Sequence, residues 1–233
     1  MERSDPGGSP PKKRVSCQIS GSLVQRLPRY YRVLRELAAG EILKISSKEL
    51  ATALKLTDSQ VRQDMSAIGE SGQRGYGYNV RRLFFGLSEL LGVNDEFSAV
   101  IIGSDPLAVA LAQTPIFARH GILLKGVFDP KSMIVGQRIG GVTVMPVDEM
   151  MGFVADNAVD IAVITDYTGY DAEKLVDYAA LGGIWNFTDY ELPGGQRTIV
   201  HNTTLGDVMT MLCCEIKNSL PRAGEKQTNA GDG

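Results

Sequence analysis

The segment of this sequence best suited to binding chemistry is a turn between an apolar run and a helix-forming stretch. The apolar run is Ala99-Val100-Ile101-Ile102, and the turn is Gly103-Ser104-Asp105-Pro106-Leu107-Ala108. A β-branched strand, a glycine turn and a helix start open the βαβ unit of nucleotide-binding domains, where amides at the helix N-terminus hold a pyrophosphate. We therefore predict that residues 103–108 form one side of a dinucleotide site.

The glycine pattern of this turn departs from the dinucleotide fingerprint, which has glycines at three positions. Gly103 occupies the first position, but Asp105 stands at the second and Ala108 at the third. A carboxylate at Asp105 is expected to repel the pyrophosphate and to block its close approach, whereas the third position accepts alanine. Two outcomes stay open: NAD(H) binds with Asp105 turned to solvent, or the site has lost the dinucleotide.

Two further residues are expected beside this turn because they end neighbouring strands. Asp129 follows the predicted strand Ile122–Phe128, at the place where an acidic side chain holds a ribose diol. Thr165 ends the buried run Asp160–Thr165. Ligands of open α/β sheets bind at the carboxyl ends of the strands, so both residues join the predicted cofactor site.

A second group of polar residues lies on two short helices that precede this unit. The sequence predicts helices over Ser46–Leu54 and Gln60–Ile68, joined by a tight turn, with Ser46 and Glu49 in a capping-box pattern. This is the arrangement of a helix-turn-helix, whose second helix reads DNA. The side chains suited to base edges or phosphates are Ser59, Gln60, Arg62 and Gln63. The alternative is an ordinary three-helix cluster with a polar face.

The residues after these helices predict a β-hairpin wing. The stretch Gln73–Tyr78 alternates glycines with Arg74, Tyr76 and Tyr78. Arg74 at the hairpin tip is placed to enter a narrow minor groove. Tyr76 and Tyr78 either reach phosphates or pack the wing on the helices, and we include them among the candidate DNA-binding residues.

The charge of the chain is unevenly distributed. Between Arg26 and Phe85 there are 11 lysines and arginines against 6 aspartates and glutamates, whereas from Gly86 onward there are 9 against 19. A basic N-terminal part on an acidic body is typical of a nucleic-acid-binding module joined to a regulatory domain. Chance asymmetry of surface charge is the alternative.

The 233 residues are enough for two domains with cores of their own. We predict a disordered arm over residues 1–20, a winged-helix domain over 21–95, a Rossmann-like α/β domain over 96–203, an apolar helix over 204–220 and a disordered tail over 221–233. The cysteines and histidines lack the spacing of a disulfide framework or a metal site, so no metal is predicted. Without a membrane-spanning run or a signal-peptide core, the protein is expected to be cytoplasmic and away from membranes.

Together these features resemble the redox-sensing transcriptional repressor family Rex over roughly residues 23–220. The motifs that carry the resemblance are Arg26-Leu27-Pro28-Arg29-Tyr30-Tyr31-Arg32, Ser46-Ser47-Lys48-Glu49-Leu50-Ala51, Gln60-Val61-Arg62, Gly72-Gln73-Arg74-Gly75-Tyr76-Gly77-Tyr78, Gly140-Gly141-Val142 and Gly183-Ile184-Trp185-Asn186-Phe187-Thr188. The resemblance implies a homodimeric repressor whose final helix is swapped into the partner subunit. It implies that NADH releases double-stranded operator DNA and that NAD⁺ permits binding. It adds Ser46, Ser47 and Lys48 to the DNA contacts and Asn186 to the cofactor contacts.

The departures from the family concentrate in the sensing half. The family usually has Gly-x-Gly-Asn-Leu-Gly where this chain has Gly-Ser-Asp-Pro-Leu-Ala, and the arginine pair of the recognition helix is Arg62-Gln63 here. The first hypothesis is a repressor governed by the NADH/NAD⁺ ratio. The second is a Rex-like DNA binder that answers to another effector or to none. The third is an NAD-dependent dehydrogenase, which leaves the winged helix without a role.

Overall fold

A computed structural model of the chain describes residues 19–70, 72, 77–131, 133–166, 172–178 and 181–219. The chain divides into two compact units, Met1–Asn94 and Asp95–Gly233. The described part of the first unit is helical with a short two-stranded ribbon, and that of the second is built on a seven-stranded sheet.

The N-terminal unit begins with a long helix that supplies much of its core. Its helices are α1 (Gly21–Ala39), α2 (Ser47–Leu54), α3 (Asp58–Ala67) and α4 (Val80–Leu90). Apolar side chains at helical spacing on α1 are buried: Leu23, Leu27, Tyr30 and Leu34. A polar side chain caps the start of each helix by accepting a first-turn amide, at Ser20, Ser46, Thr57 and Asn79.

The ribbon of this unit joins strands β1 (Lys44–Ile45) and β2 (Tyr78–Asn79), which pair antiparallel with Ile45 opposite Tyr78. Gly77 enters the ribbon with φ +70°, and a Cβ there would lie 2.4 Å from the carbonyl oxygen of Ile45, so only glycine fits. The ribbon lies where the sequence predicts the base of a wing. The predicted tip, with Arg74 and Tyr76, lies outside the described residues.

The second unit is an open sheet with the strand order β5-β6-β4-β3-β7-β8-β9. Its strands are β3 (Phe97–Ile102), β4 (Ile122–Asp129), β5 (Arg138–Ile139), β6 (Val142–Pro146), β7 (Ile161–Ile164), β8 (Gly183–Asn186) and β9 (Ile199–Asn202). All pairs are parallel except β5 with β6, which form a hairpin. The parallel strands follow the Rossmann order, with the crossover reversing between β3 and β7.

Helices cover both faces of the sheet. They are α5 (Pro106–Gln113), α6 (Ile116–Arg119) and α7 (Met150–Asp156), with 3-10 turns at Val147–Glu149 and Ala172–Leu175. Alternate residues of β3 enter opposite cores, since side chains of a strand alternate between faces. Ala99 and Ile101 pack with α5 and α6, whereas Val100 and Ile102 pack with α7.

The sequence predicts two helices in this unit, one over Leu107–Phe117 that Pro115 disturbs and one over Asp171–Leu181. The structure divides the first segment into α5 and α6, because Pro115 cannot donate the amide that would continue α5. The helix expected over Asp171–Leu181 is, within its described residues, a 3-10 turn at Ala172–Leu175.

The last helix, α8 (Leu205–Ser219), has no buried residue within this chain. Its large apolar side chains are all exposed, namely Leu205, Val208, Met209, Met211, Leu212 and Ile216. Within the described residues, no helix is both long and apolar enough to cross a membrane.

Candidate functional site

The N-termini of α2 and α3 lie close together and carry the exposed polar residues of the predicted DNA reader. Arg62 connects the two helix starts: its Nη2 donates to Asp58 Oδ2 at 2.5 Å and its Nε donates to Ser47 Oγ at 3.2 Å. The Arg62 side chain is 65% exposed, so the surface pair with Asp58 costs little to exchange for another anion. Lys48, Ser59 and Gln63 are also exposed.

Ser46 holds the start of α2 in the capping box that the sequence predicts. Its Oγ accepts the Glu49 amide at 3.1 Å, and Glu49 Oε2 accepts the Ser46 amide at 2.8 Å. The Ser46 hydroxyl also donates to Glu49 Oε2 at 2.7 Å, and this bond, followed by the one from the Ser46 amide, holds the pKa of Glu49 below its usual value. Ser46 therefore orients a helix N-terminus, whose amides favour phosphate groups.

A buried carboxylate fixes the inner side of α3. Asp64 accepts hydrogen bonds from Arg26 Nε and Nη2, both at 2.7 Å, from Tyr30 Oη at 3.0 Å and from Gln60 Nε2 at 2.8 Å. Burial by itself would raise the pKa of Asp64, but these donors outweigh it and hold the pKa below its usual value. The same burial raises the pKa of the Tyr30 hydroxyl.

This network changes the interpretation of two expected DNA contacts. The amide nitrogen of Gln60 is turned to Asp64, so this residue ties α3 to α1 through a buried acceptor. Tyr78 is 8% exposed and lies in the core with the helices, which explains its raised pKa. Of the two alternatives for Tyr78, the structure shows packing: its ring packs the ribbon, as apolar burial favours, and is not presented on the surface to a phosphate.

The predicted dinucleotide loop lies between β3 and α5, at the carboxyl edge of the sheet. Gly103 has φ +122°, and a Cβ there would lie 2.3 Å from Thr165 Oγ1 and 2.9 Å from the Asp166 amide, so the loop passes directly against the end of β7. Ala108 is fully buried, consistent with close packing of α5 on the strands. Pro106 is the first residue of α5, where its fixed φ suits a helix start, and Ser104 and Leu107 are half-buried.

Asp105 is the N-cap of α5. Its Oδ1 accepts the Leu107 amide at 2.6 Å and the Ala108 amide at 3.0 Å. Its Oδ2 is buried and has no hydrogen-bond partner among the described residues. Of the two outcomes that the sequence leaves open, the one with Asp105 turned to solvent is not seen in this structure, because the carboxylate turns inward onto the helix amides.

Asp129 ends β4 beside this loop and is 1% exposed. Its Oδ1 accepts the Lys131 amide at 2.6 Å, and its Oδ2 is buried without a partner among the described residues. An unpaired buried acceptor at this strand end has the chemistry needed to accept a ribose hydroxyl. Lys131 Nζ donates to Asp166 Oδ2 at 3.2 Å across the strand ends.

Asn186 is not available to a cofactor. Its Nδ2 donates to the Tyr190 carbonyl at 2.6 Å and to Asn202 Oδ1 at 2.8 Å, while its Oδ1 accepts the amide and hydroxyl of Thr188. These contacts use the full capacity of a side-chain amide. Asn186 is fully buried and holds the loop after β8, which corrects its predicted cofactor role.

Sequence reasoning missed the partners of Asp64 and the Lys131–Asp166 pair. Both join residues far apart in sequence, and no local spacing signals them. Within the described residues, no group of three or more His, Cys, Asp or Glu side chains is placed to hold a metal ion.

Comparisons with known proteins cover both units. A family model described as putative DNA-binding protein N-terminus matches residues 18–66, and one described as CoA binding domain matches residues 94–190. A redox-sensing transcriptional repressor Rex from Caldanaerobacter subterraneus is 40% identical over 192 residues, covering 81% of this chain and 85% of the relative. A Rex from Clostridium botulinum is 34% identical over 204 residues, covering 86% of this chain and 97% of the relative.

Two solved structures that are similar to this chain belong to the same family as the sequence relatives. RSP in complex with beta-NAD⁺ and operator DNA has a TM-score of 0.81 at 34% identity, covering 86% of this chain and 93% of that chain. RSP in complex with beta-NADH has a TM-score of 0.75 at 32% identity, covering 88% of this chain and 96% of that chain. The architecture of an N-terminal DNA-binding domain followed by a Rossmann-like domain is thereby confirmed, and the chain belongs to the Rex family of redox-sensing transcriptional repressors.

Proposed function

We propose that this chain represses transcription by binding operator DNA through its N-terminal unit, under the control of the NADH/NAD⁺ ratio sensed by its Rossmann-like unit. The observation that carries the proposal is the similarity to RSP bound to operator DNA, at a TM-score of 0.81 over 86% of this chain. Since the Rex family consists of transcriptional repressors, the dehydrogenase hypothesis loses its support. The location that we propose for this DNA-binding repressor is the cytoplasm, as the sequence predicts.

The DNA-binding surface that we propose is the exposed N-terminal side of α2 and α3. Arg62 is its central charged group, with Lys48, Ser59 and Gln63 exposed around it. Phosphates are favoured at the two helix N-termini, and an arginine can donate to a phosphate or to a guanine edge. Ser46 and Ser47 support this surface through the α2 cap and the Arg62 contact. Arg74 and Tyr76, which lie outside the described residues, remain in the proposal on the sequence pattern alone.

The test is selection of an operator from a random duplex library with the full chain, followed by fluorescence anisotropy at fixed salt. Arg62→Ala should weaken operator binding at least about fivefold, since one lost contact to a base or phosphate costs about 1–3 kcal/mol. Arg35→Ala removes the same charge from an exposed position on α1 and should change the affinity by less than about twofold. Equal losses in both variants would show that only overall charge matters.

A second copy of this chain is the partner we propose for α8. Six large apolar side chains on one 15-residue helix are exposed in the single chain, which is unfavourable in water unless another surface covers them. Exchange of α8 between two subunits would bury them and give the repressor two DNA-binding units for two half-sites.

The described residues fit one half of a dinucleotide better than the other. The unpaired buried Oδ2 of Asp129 suits a ribose hydroxyl at the end of β4. The start of α5 does not fit a pyrophosphate as it stands, because the Asp105 carboxylate already takes the Leu107 and Ala108 amides. This contact is the observation that favours the second hypothesis, a Rex-like DNA binder that answers to another effector or to none.

A further inference from the structure

The amides at the start of α5 already bind an anion supplied by the chain itself. Asp105 Oδ1 accepts the Leu107 amide at 2.6 Å and the Ala108 amide at 3.0 Å. In a βαβ nucleotide-binding unit, amides at this place point to the phosphate groups of the ligand. A dinucleotide and the Asp105 carboxylate therefore compete for the same donors.

The charges around this loop add to the competition. Lys131 is paired with Asp166, and its pKa is raised by the hydrogen bond to Asp166, by the charge of Asp166 and, more weakly, by Asp129 and Asp105. Three carboxylates thus act on one ammonium group at these strand ends. A pyrophosphate brought to the loop meets an excess of negative charge, with Lys131 already engaged.

Only one of the two carboxylate oxygens of Asp105 is hydrogen-bonded to the start of α5. Its Oδ2 is buried and unpartnered among the described residues, and a buried polar atom without a hydrogen bond costs free energy. A carboxylate satisfied at only one oxygen can be displaced by a ligand that makes more hydrogen bonds. Asp129 Oδ2 is also buried, has no partner in the part of the chain that the structure describes, and offers such a ligand a further contact at the end of β4.

We propose that Asp105 is a built-in competitor for the phosphate groups of NAD(H), so that the dinucleotide binds only when this carboxylate leaves the Leu107 and Ala108 amides. This inference rests on the proposed function, because it concerns the regulation of the same Rossmann-like unit. Asp105 sets the dinucleotide concentration at which the repressor responds, and it sets that threshold high.

The test is a fluorescence titration of the full-length protein with NADH. Asp105→Gly removes the competitor and should tighten NADH binding at least 30-fold, or roughly 2 kcal/mol at about 1.4 kcal/mol per tenfold. Asp105→Asn keeps a neutral cap and should tighten binding at least fivefold. Asp156→Asn removes one negative charge from an exposed position on α7 and should leave the NADH affinity within twofold.

If Asp105 serves only as the N-cap of α5, its variants should show the opposite change in NADH affinity. The thermal midpoint of the Asp105→Gly variant would fall through loss of the N-cap, and NADH affinity would stay equal or weaken. That result, or undetectable NADH binding in both Asp105 variants, overturns the inference. If Asp105→Gly does not fold, the Asp105→Asn comparison decides alone.

Operator binding by the wild-type protein is measured in the same preparations. If the protein binds its operator specifically but neither Asp105 variant binds NADH more tightly than wild type, the inference that Asp105 competes with NADH is rejected. The proposed function as a repressor then stands. No specific operator binding rejects the proposed function, whatever the NADH titration shows.

Discussion

Asp64→Asn tests the network that joins α1 to α3. The Asp64 side chain is 3% exposed and accepts four hydrogen bonds, two of them from Arg26. Removing one partner of a buried ion pair costs about 3–5 kcal/mol. The Arg26 side chain is 22% exposed and the amide oxygen of asparagine keeps one acceptor, so we expect about 2–3 kcal/mol.

The assay is urea unfolding of the full-length protein followed by far-ultraviolet circular dichroism at neutral pH. Asp58→Asn is the matched control, because Asp58 forms an exposed pair with Arg62 that is expected to contribute less than about 1 kcal/mol. If Asp64→Asn costs no more than Asp58→Asn, the buried network does not stabilise the N-terminal unit and the reasoning is wrong.

The same variant has a signature in its pH dependence. The folded protein holds the pKa of Asp64 below its unfolded value, so the stabilisation is complete above the unfolded value of about 4 and is lost as the pH falls through the folded value. The stability difference between wild type and Asp64→Asn should therefore be constant from about pH 5 to 7 and shrink below about pH 4. A difference that grows on acidification would contradict the assigned sign.

Two further predictions concern the second unit. Asn186→Ala should destabilise it by about 2–3 kcal/mol, because the variant leaves buried partners of Asn186 unsatisfied. The loss is measured by differential scanning fluorimetry and urea unfolding, and a loss below about 0.5 kcal/mol, the size of a neutral surface change, would count against the structural role. Leu212→Glu places a charge on the apolar face of α8 and should convert the proposed dimer to monomer in light scattering, whereas Thr210→Glu, on an exposed residue of the same helix, serves as the charge control.

Local sequence determined the helix-turn-helix and the opening of the Rossmann-like unit. Ser46 and Glu49 form a capping box because the two residues needed for it are three apart on one chain segment. Gly103 follows a β-branched strand, and the sterics of one residue require glycine at its positive φ. These signals act within one turn, so spacing alone locates them.

Only the tertiary structure decided which polar side chains remain available to contact DNA or a cofactor. Gln60 and Tyr78 carry groups that could bind DNA. In the structure, however, the amide nitrogen of Gln60 donates to Asp64, and the ring of Tyr78 is buried in the core. Asn186 satisfies all its hydrogen bonds with residues of its own loops. Partners such as Arg26 lie 38 residues from Asp64, and only folding brings them together.

Asp105 shows both contributions at one residue. The sequence by itself determined that a carboxylate stands at the place of the second glycine, and therefore that phosphate binding is opposed. The direction of that carboxylate was open, because solvation and helix capping both stabilise the charge. The folded loop decided it: the Leu107 and Ala108 amides lack carbonyl partners at the first turn of α5, and Asp105 is the acceptor within reach.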